Sequence, residues 1–194
     1  MNTVASQTRI PAESSERQYQ IRRAQVAAWL GAATAVAFTV VTLLATITED
    51  GHPFRHAADY WYTGLGMLPA MGSALVLVLA IHSLQRRRDG RLGRVGTLVM
   101  SVGLVVFMAM GAYALVIGKA TSLGPTYLLA TLATFVGLTL FVAGSWGAGL
   151  LPRWLLIVWL VAWLIGGPFA QSATPLLLAA AFVTIALLLP NLDR

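Results

Sequence analysis

Cysteine is absent from the 194 residues. That excludes disulfides, thiolate metal sites, iron–sulfur clusters and a cysteine nucleophile. Charge is scarce as well: Asp, Glu, Lys and Arg make up 10% of the chain, against roughly 25% in an average soluble domain. Lys119 is the only lysine. No Asp, Glu, Lys or Arg falls inside any of the long apolar segments delimited below. Pumps, voltage sensors and ion-coupled transporters usually carry such groups in their interior, so these classes are disfavoured. A retinal-type Schiff base is excluded too, because no apolar segment offers a lysine. A passive pathway for neutral molecules is not excluded by these absences.

What is present is apolar. Hydrophobic residues make up 58% of the chain and the mean hydropathy is +0.76, which places the chain among membrane proteins. A helix needs about 20 apolar residues to cross the hydrocarbon core. Six segments meet or approach that length: 24–47, 61–84, 95–117, 126–148, 154–169 and 174–189. Their apolar runs are continuous, whereas barrel strands alternate apolar with polar residues. The last two segments are short, and "GGPFAQSATP" between them reads as a turn. The expected fold is therefore an all-α, polytopic transmembrane bundle of six spans in one membrane domain, residues 24–190. Residues 1–23, polar and aperiodic, are expected as a mobile N-terminal tail with a short helix from Glu16 to Arg23 at its end. Residues 191–194 form a short C-terminus.

Arginines set the expected orientation. Arg9, Arg17, Arg22 and Arg23 precede the first span, Arg86, Arg87, Arg88, Arg91 and Arg94 fill the second loop, Arg153 lies in the fourth and Arg194 ends the chain. The alternate side has only Arg55 and Lys119. The positive-inside rule then puts both termini in the cytoplasm. Abundant Arg, Ala, Leu and Val with a single lysine suggests a GC-rich bacterial genome, hence a bacterial plasma (inner) membrane. The formal charge of +6 belongs to residues that flank spans, so it points to the membrane surface and not to nucleic acid.

Four features are candidates for function. In "EDGHPFRHAADYW", residues 49–61, His52 and His56 are four apart and Asp59 follows by three. Two imidazoles and a carboxylate can hold zinc or another divalent metal, with Glu49 or Asp50 as a further ligand or orienting group. Pro53 disfavours a helical conformation at His52, which weakens the shared-face argument, and a polar loop between spans accounts for the same residues. The second feature is "QRRRDGRLGR", in which Arg86, Arg87, Arg88, Arg91 and Arg94 can attract anionic lipid headgroups or a partner's acidic segment, or simply fix topology.

The third feature is the outer half of the second span, where Gly64, Gly66, Pro69 and Gly72 mark a hinge or cavity, with Pro69 expected to kink the helix. The fourth is His82, near the arginine-rich end of the same span, which lacks a histidine mate for haem and is expected at headgroup level or capping a carbonyl. Small and hydroxylated residues, namely Gly103 and Gly111 in the third span and Thr131, Ala133, Thr134, Gly137, Gly144 and Gly147 in the fourth, predict close helix approach and hydrogen bonds across helices.

The stretch "GAGLLPRWLLIVWLVAWLIGG", residues 147–167, resembles a feature of uncharacterised bacterial multi-pass membrane proteins in which a Leu-Pro-Arg-Trp turn opens a late span. The resemblance implies a six-span or similar bundle and assigns no functional residue. Together these features favour a non-enzymatic integral membrane component that works through helix and lipid contacts. It would be a subunit partnered by another membrane protein or by copies of itself, and would need no cofactor. The alternatives are a passive transporter or channel for a small neutral or apolar solute, and a divalent-metal-binding membrane protein using His52, His56 and Asp59.

Overall fold

A computed structural model describes residues 10–48, 66–85, 88–117, 124–166 and 174–193. The described residues form an all-α bundle: α1 (Ile10–Thr48), α2 (Met67–Leu84), α3 (Gly90–Ile117), α4 (Gly124–Ala148), α5 (Arg153–Gly166) and α6 (Pro175–Leu188), closed by a 3₁₀ helix over Leu189–Asp193. Three of them, α2, α3 and α4, are long and apolar enough to cross a membrane, and α5 and α6 are shorter apolar helices. The protein is thus a small multi-span membrane protein.

Helix α1 runs unbroken for 39 residues. At 1.5 Å per residue that is about 58 Å, roughly twice the hydrocarbon thickness. Residues 10–23, expected as a tail, are therefore helical and continuous with the first apolar segment. Ile21 and Ala24 are buried there, and α1 packs along the closing 3₁₀ helix. Ile21 is thus a buried anchor within the extension, whereas residues 15–19 are exposed.

Each helix packs on the next in sequence, and α6 returns onto α1. Along α3 and α4 the partners run in opposite order: Gly93 meets Gly144, Gly96 meets Gly137 and Phe141, and Gly103 meets Ala130 and Thr134. The two helices are therefore antiparallel. The same holds for α1 and α2, where Gly31 faces Ser73 and Gly66 faces Phe38. The described arginines, Arg17, Arg22, Arg23, Arg88, Arg91, Arg94 and Arg153, consequently gather at one end of the bundle.

Aromatic side chains fill the centre. Trp159 is wholly buried and makes edge-on contacts with Phe141 on α4 at 5.9 Å and Phe182 on α6 at 6.2 Å. Such pairs add about 0.5–1.5 kcal/mol each beyond their buried area. Phe182 in turn covers Gly31, where a Cβ would come within 2.5 Å of its ring. One row of rings therefore ties α4, α5 and α6 to α1. The outward faces are apolar too: Leu98, Val102 and Val116 on α3, Leu129 and Leu132 on α4, and Ile157 and Val161 on α5 are all exposed. In water such a surface would aggregate; in a bilayer it meets acyl chains.

The turn into α5 has a clear local cause. Gly149 adopts a left-handed φ of +67° just past the end of α4, a conformation that glycine reaches without strain. Leu151 then turns inward and is buried. The Pro152 carbonyl accepts the Leu155 and Leu156 amides at 3.0 and 3.3 Å, which starts α5. Arg153 lies over the Trp146 ring at 5.4 Å, so the Leu-Pro-Arg-Trp turn is clasped against the end of α4.

Candidate functional site: a buried polar knot at the arginine-rich end

The polar side chains that come together among the described residues lie where α2 turns into α3. Gln85 ends α2, its amide donating to the Ile81 carbonyl at 3.0 Å, and the Arg88 amide donates to the Gln85 carbonyl at 2.9 Å. The Asp89 carbonyl receives the Gly93 amide at 3.1 Å as α3 begins. Gly90, with φ +65°, permits the sharp reversal between them.

This turn folds Asp89 inward. Its side chain has no exposure, and its Oδ2 lies 2.5 Å from Nδ1 of His82, one turn before the end of α2. The imidazole is 26% exposed, so the pair has one sealed member and one that reaches the surface. A buried carboxylate is costly unless a partner compensates it, and a position at the N-terminus of α3 also favours negative charge. Gly93 and Gly144 make the room. A Cβ on Gly93 would strike the Asp89 carboxylate, and one on Gly144 would strike the Gly93 backbone and the Asp89 carbonyl.

Beside the pair, Gln85 Nε2 donates to Ser145 Oγ of α4 at 2.7 Å, with both residues buried. Asp89 Oδ1 and Gln85 Oε1 are buried and accept no hydrogen bond. The knot thus joins α2, α3 and α4 through His82, Gln85, Asp89 and Ser145. Among the described residues no group of three or more His, Asp or Glu side chains could hold a metal ion. The knot holds one carboxylate, one imidazole, one amide and one hydroxyl drawn from three helices, an arrangement suited to fastening helices.

The sequence-derived candidates fare differently. His52, His56 and Asp59, with Glu49 and Asp50, lie outside the described residues, as do Gly64, Arg86 and Arg87. Arg88, Arg91 and Arg94 are exposed at the end that carries the knot. Gly66, Pro69 and Gly72 are half-buried. Pro69 is the third residue of α2, where a missing amide breaks no hydrogen bond within that helix; the chain before Gly66, where the expected kink would show, lies outside the described residues.

His82, expected to lack a histidine mate for haem, is paired instead with the Asp89 carboxylate. The clue was available: "HSLQRRRD" places an acid seven residues after the histidine, across a turn that Gly90 allows. The surrounding arginines drew the reading toward lipid, partner or topology and away from a role for Asp89. The expected hydroxyl bonds across helices are also mostly not made. Thr97, Thr134 and Thr139 donate instead to carbonyls three or four residues back on their own helices, at 2.8–2.9 Å. That bond is always within reach of a helical threonine.

A second feature lies between α1 and α2. It is a groove of about 410 Å³ whose walls include Val26, Leu30, Gly72 and Val76, with Tyr19, Arg22 and Arg23 also lining it. Comparison with known proteins gives no match to this architecture: no family model, no curated protein and no solved structure is similar to the chain.

Proposed function

We propose that this protein is a non-enzymatic component of a bacterial plasma membrane, with six spans and both termini in the cytoplasm, acting through contacts with other membrane helices and with lipid. The observation that carries this reading is the contrast between a filled interior and an apolar exterior. Trp159, Trp163, Phe107, Phe141 and Phe182 are all but fully buried, while large apolar side chains face outward along α3, α4, α5 and α6. A component of this kind works through its perimeter.

Clustering of the described arginines at one end supports the cytoplasmic assignment of that end by the positive-inside rule. The clasped Leu-Pro-Arg-Trp turn is in keeping with the multi-pass proteins that carry the same motif. Passive transport has less in its favour, because the centre is occupied by rings.

The test is purification from native membranes in a mild detergent, followed by mass measurement of the intact particle. A stoichiometric second protein, or a defined homo-oligomer, is the expected result. A lone monomer that conducts a neutral solute in reconstituted vesicles would overturn the reading in favour of a passive pathway.

A further inference from the structure

We infer that the groove between α1 and α2 binds an anionic phospholipid, with an acyl chain along its apolar wall and the phosphate on Arg22 and Arg23. This rests on the reading of the protein as a membrane component and names the lipid class and the site. From Arg22 to Leu30 the groove follows α1 for about 12 Å at the helical rise, and Val26 and Leu30 face Gly72 and Val76 across it. Both arginines are exposed, and among the described residues no acidic side chain lines the groove. Tyr19 stands beyond them on α1, largely exposed, where an amphipathic ring suits the membrane interface.

Shape and charge together favour lipid over a partner helix. The groove is small, about 410 Å³, and an acyl chain is slender and flexible where a helix is about 10–12 Å across with its side chains. The cationic groups sit at the level of headgroups, since the described arginines of the other helices lie at the same end. Gly72 is what leaves the wall open: a Cβ there would meet nothing nearer than the Met108 Cε at 3.8 Å.

The experiment is native mass spectrometry of the full chain released from vesicles of phosphatidylglycerol and phosphatidylcholine in equal amounts. The wild type should retain phosphatidylglycerol preferentially. Arg22→Gln with Arg23→Gln should weaken that retention by roughly 25-fold, about fivefold per arginine, and Arg22→Lys with Arg23→Lys should restore most of it. Gly72→Leu should displace the retained lipid by filling the wall. Arg153→Gln removes a cation at the same end but outside the groove and should change retention little.

Equal retention of both lipids by the wild type, or an equal loss in the Arg153 control, would overturn the inference. Wild-type protein that inserts into vesicles without headgroup preference sinks the groove alone. Protein that does not insert at all sinks the membrane reading beneath it.

Discussion

Helices α3 and α4 meet backbone to backbone, whereas α1 and α2, also antiparallel, stand far enough apart at one point to leave a groove. The difference comes from which residues lack a side chain and where. On α3 and α4, a Cβ at Gly96, Gly103, Gly137 or Gly144 would intrude on the backbone of the facing helix, and one at Gly93 would strike the Asp89 side chain. On α1 the buried line is alanine: Ala24, Ala27, Ala28, Ala32 and Ala35. Alanine packs well but holds the partner off by one carbon. Gly72, on the facing helix, has room for a Cβ, with only the Met108 Cε nearby at 3.8 Å. Lipid offers helices little hydrophobic reason to associate, so close packing has to supply the attraction. The α3–α4 pair is the rigid half of the bundle on this account, and α1–α2 is the half that accommodates a guest.

The strongest way to break the comparison is Gly137→Leu. Its Cβ would enter the Met100 backbone, and overpacking at a site that cannot yield costs about 3 kcal/mol or more. A large loss of thermal stability in detergent is expected, and an unchanged melting curve would refute the tight seam. Gly147→Ala on the same helix is the control, since nothing lies within 4 Å of that position; stability should hold or rise slightly, as alanine is the better helix former.

Next in size is the knot that anchors the rigid half. Asp89→Ala leaves His82 unpaired, and His82→Ala leaves a sealed carboxylate. Breaking a buried pair from one side costs about 3–5 kcal/mol, while replacing both partners by apolar groups can be nearly neutral. The double variant His82→Leu with Asp89→Leu should therefore recover much of what Asp89→Ala loses in denaturant titration. If the double variant is as unstable as the sum of its parts, the two side chains do not act as a pair.

Ser145→Ala removes the acceptor of Gln85 and strands a buried amide, which costs about 1–3 kcal/mol. Amide exchange at the α2–α3 turn should quicken while exchange in α6 stays unchanged. The smallest effect expected is that of Arg153→Ala. A cation over an exposed ring contributes about 0.5–1 kcal/mol, so a shift of at most a few degrees in melting temperature is expected. A larger shift would mean that Arg153 has a further partner.

Much of the helical layout was legible because a membrane helix carries its own signal. Runs such as 95–117 and 126–148 needed only length and hydropathy, and the observed α3 and α4 match them within a few residues, apart from the extension of α3 back to Gly90. The glycines of α3 and α4 were legible as packing residues, yet Gly147 reads like Gly144 in the sequence and faces open space. Which side of a helix meets a neighbour is set by rotation about its axis, and an all-apolar helix has no polar face to report that rotation. The knot was hidden for a related reason. Asp89 sits among arginines in "QRRRDGRLGR" and looks like a surface charge; only the reversal at Gly90 brings it back against His82.

The sequence alone determined that this chain belongs in a membrane, that it is helical, and that its basic residues gather on one side, because those properties sum over many residues and tolerate local error. The tertiary structure alone decided which glycines touch, that an isolated acid is buried on an isolated histidine, and that α1 and α2 leave a cationic-mouthed groove. Each of these depends on the position of a few atoms on two helices at once, and contact between distant segments is not written in either one.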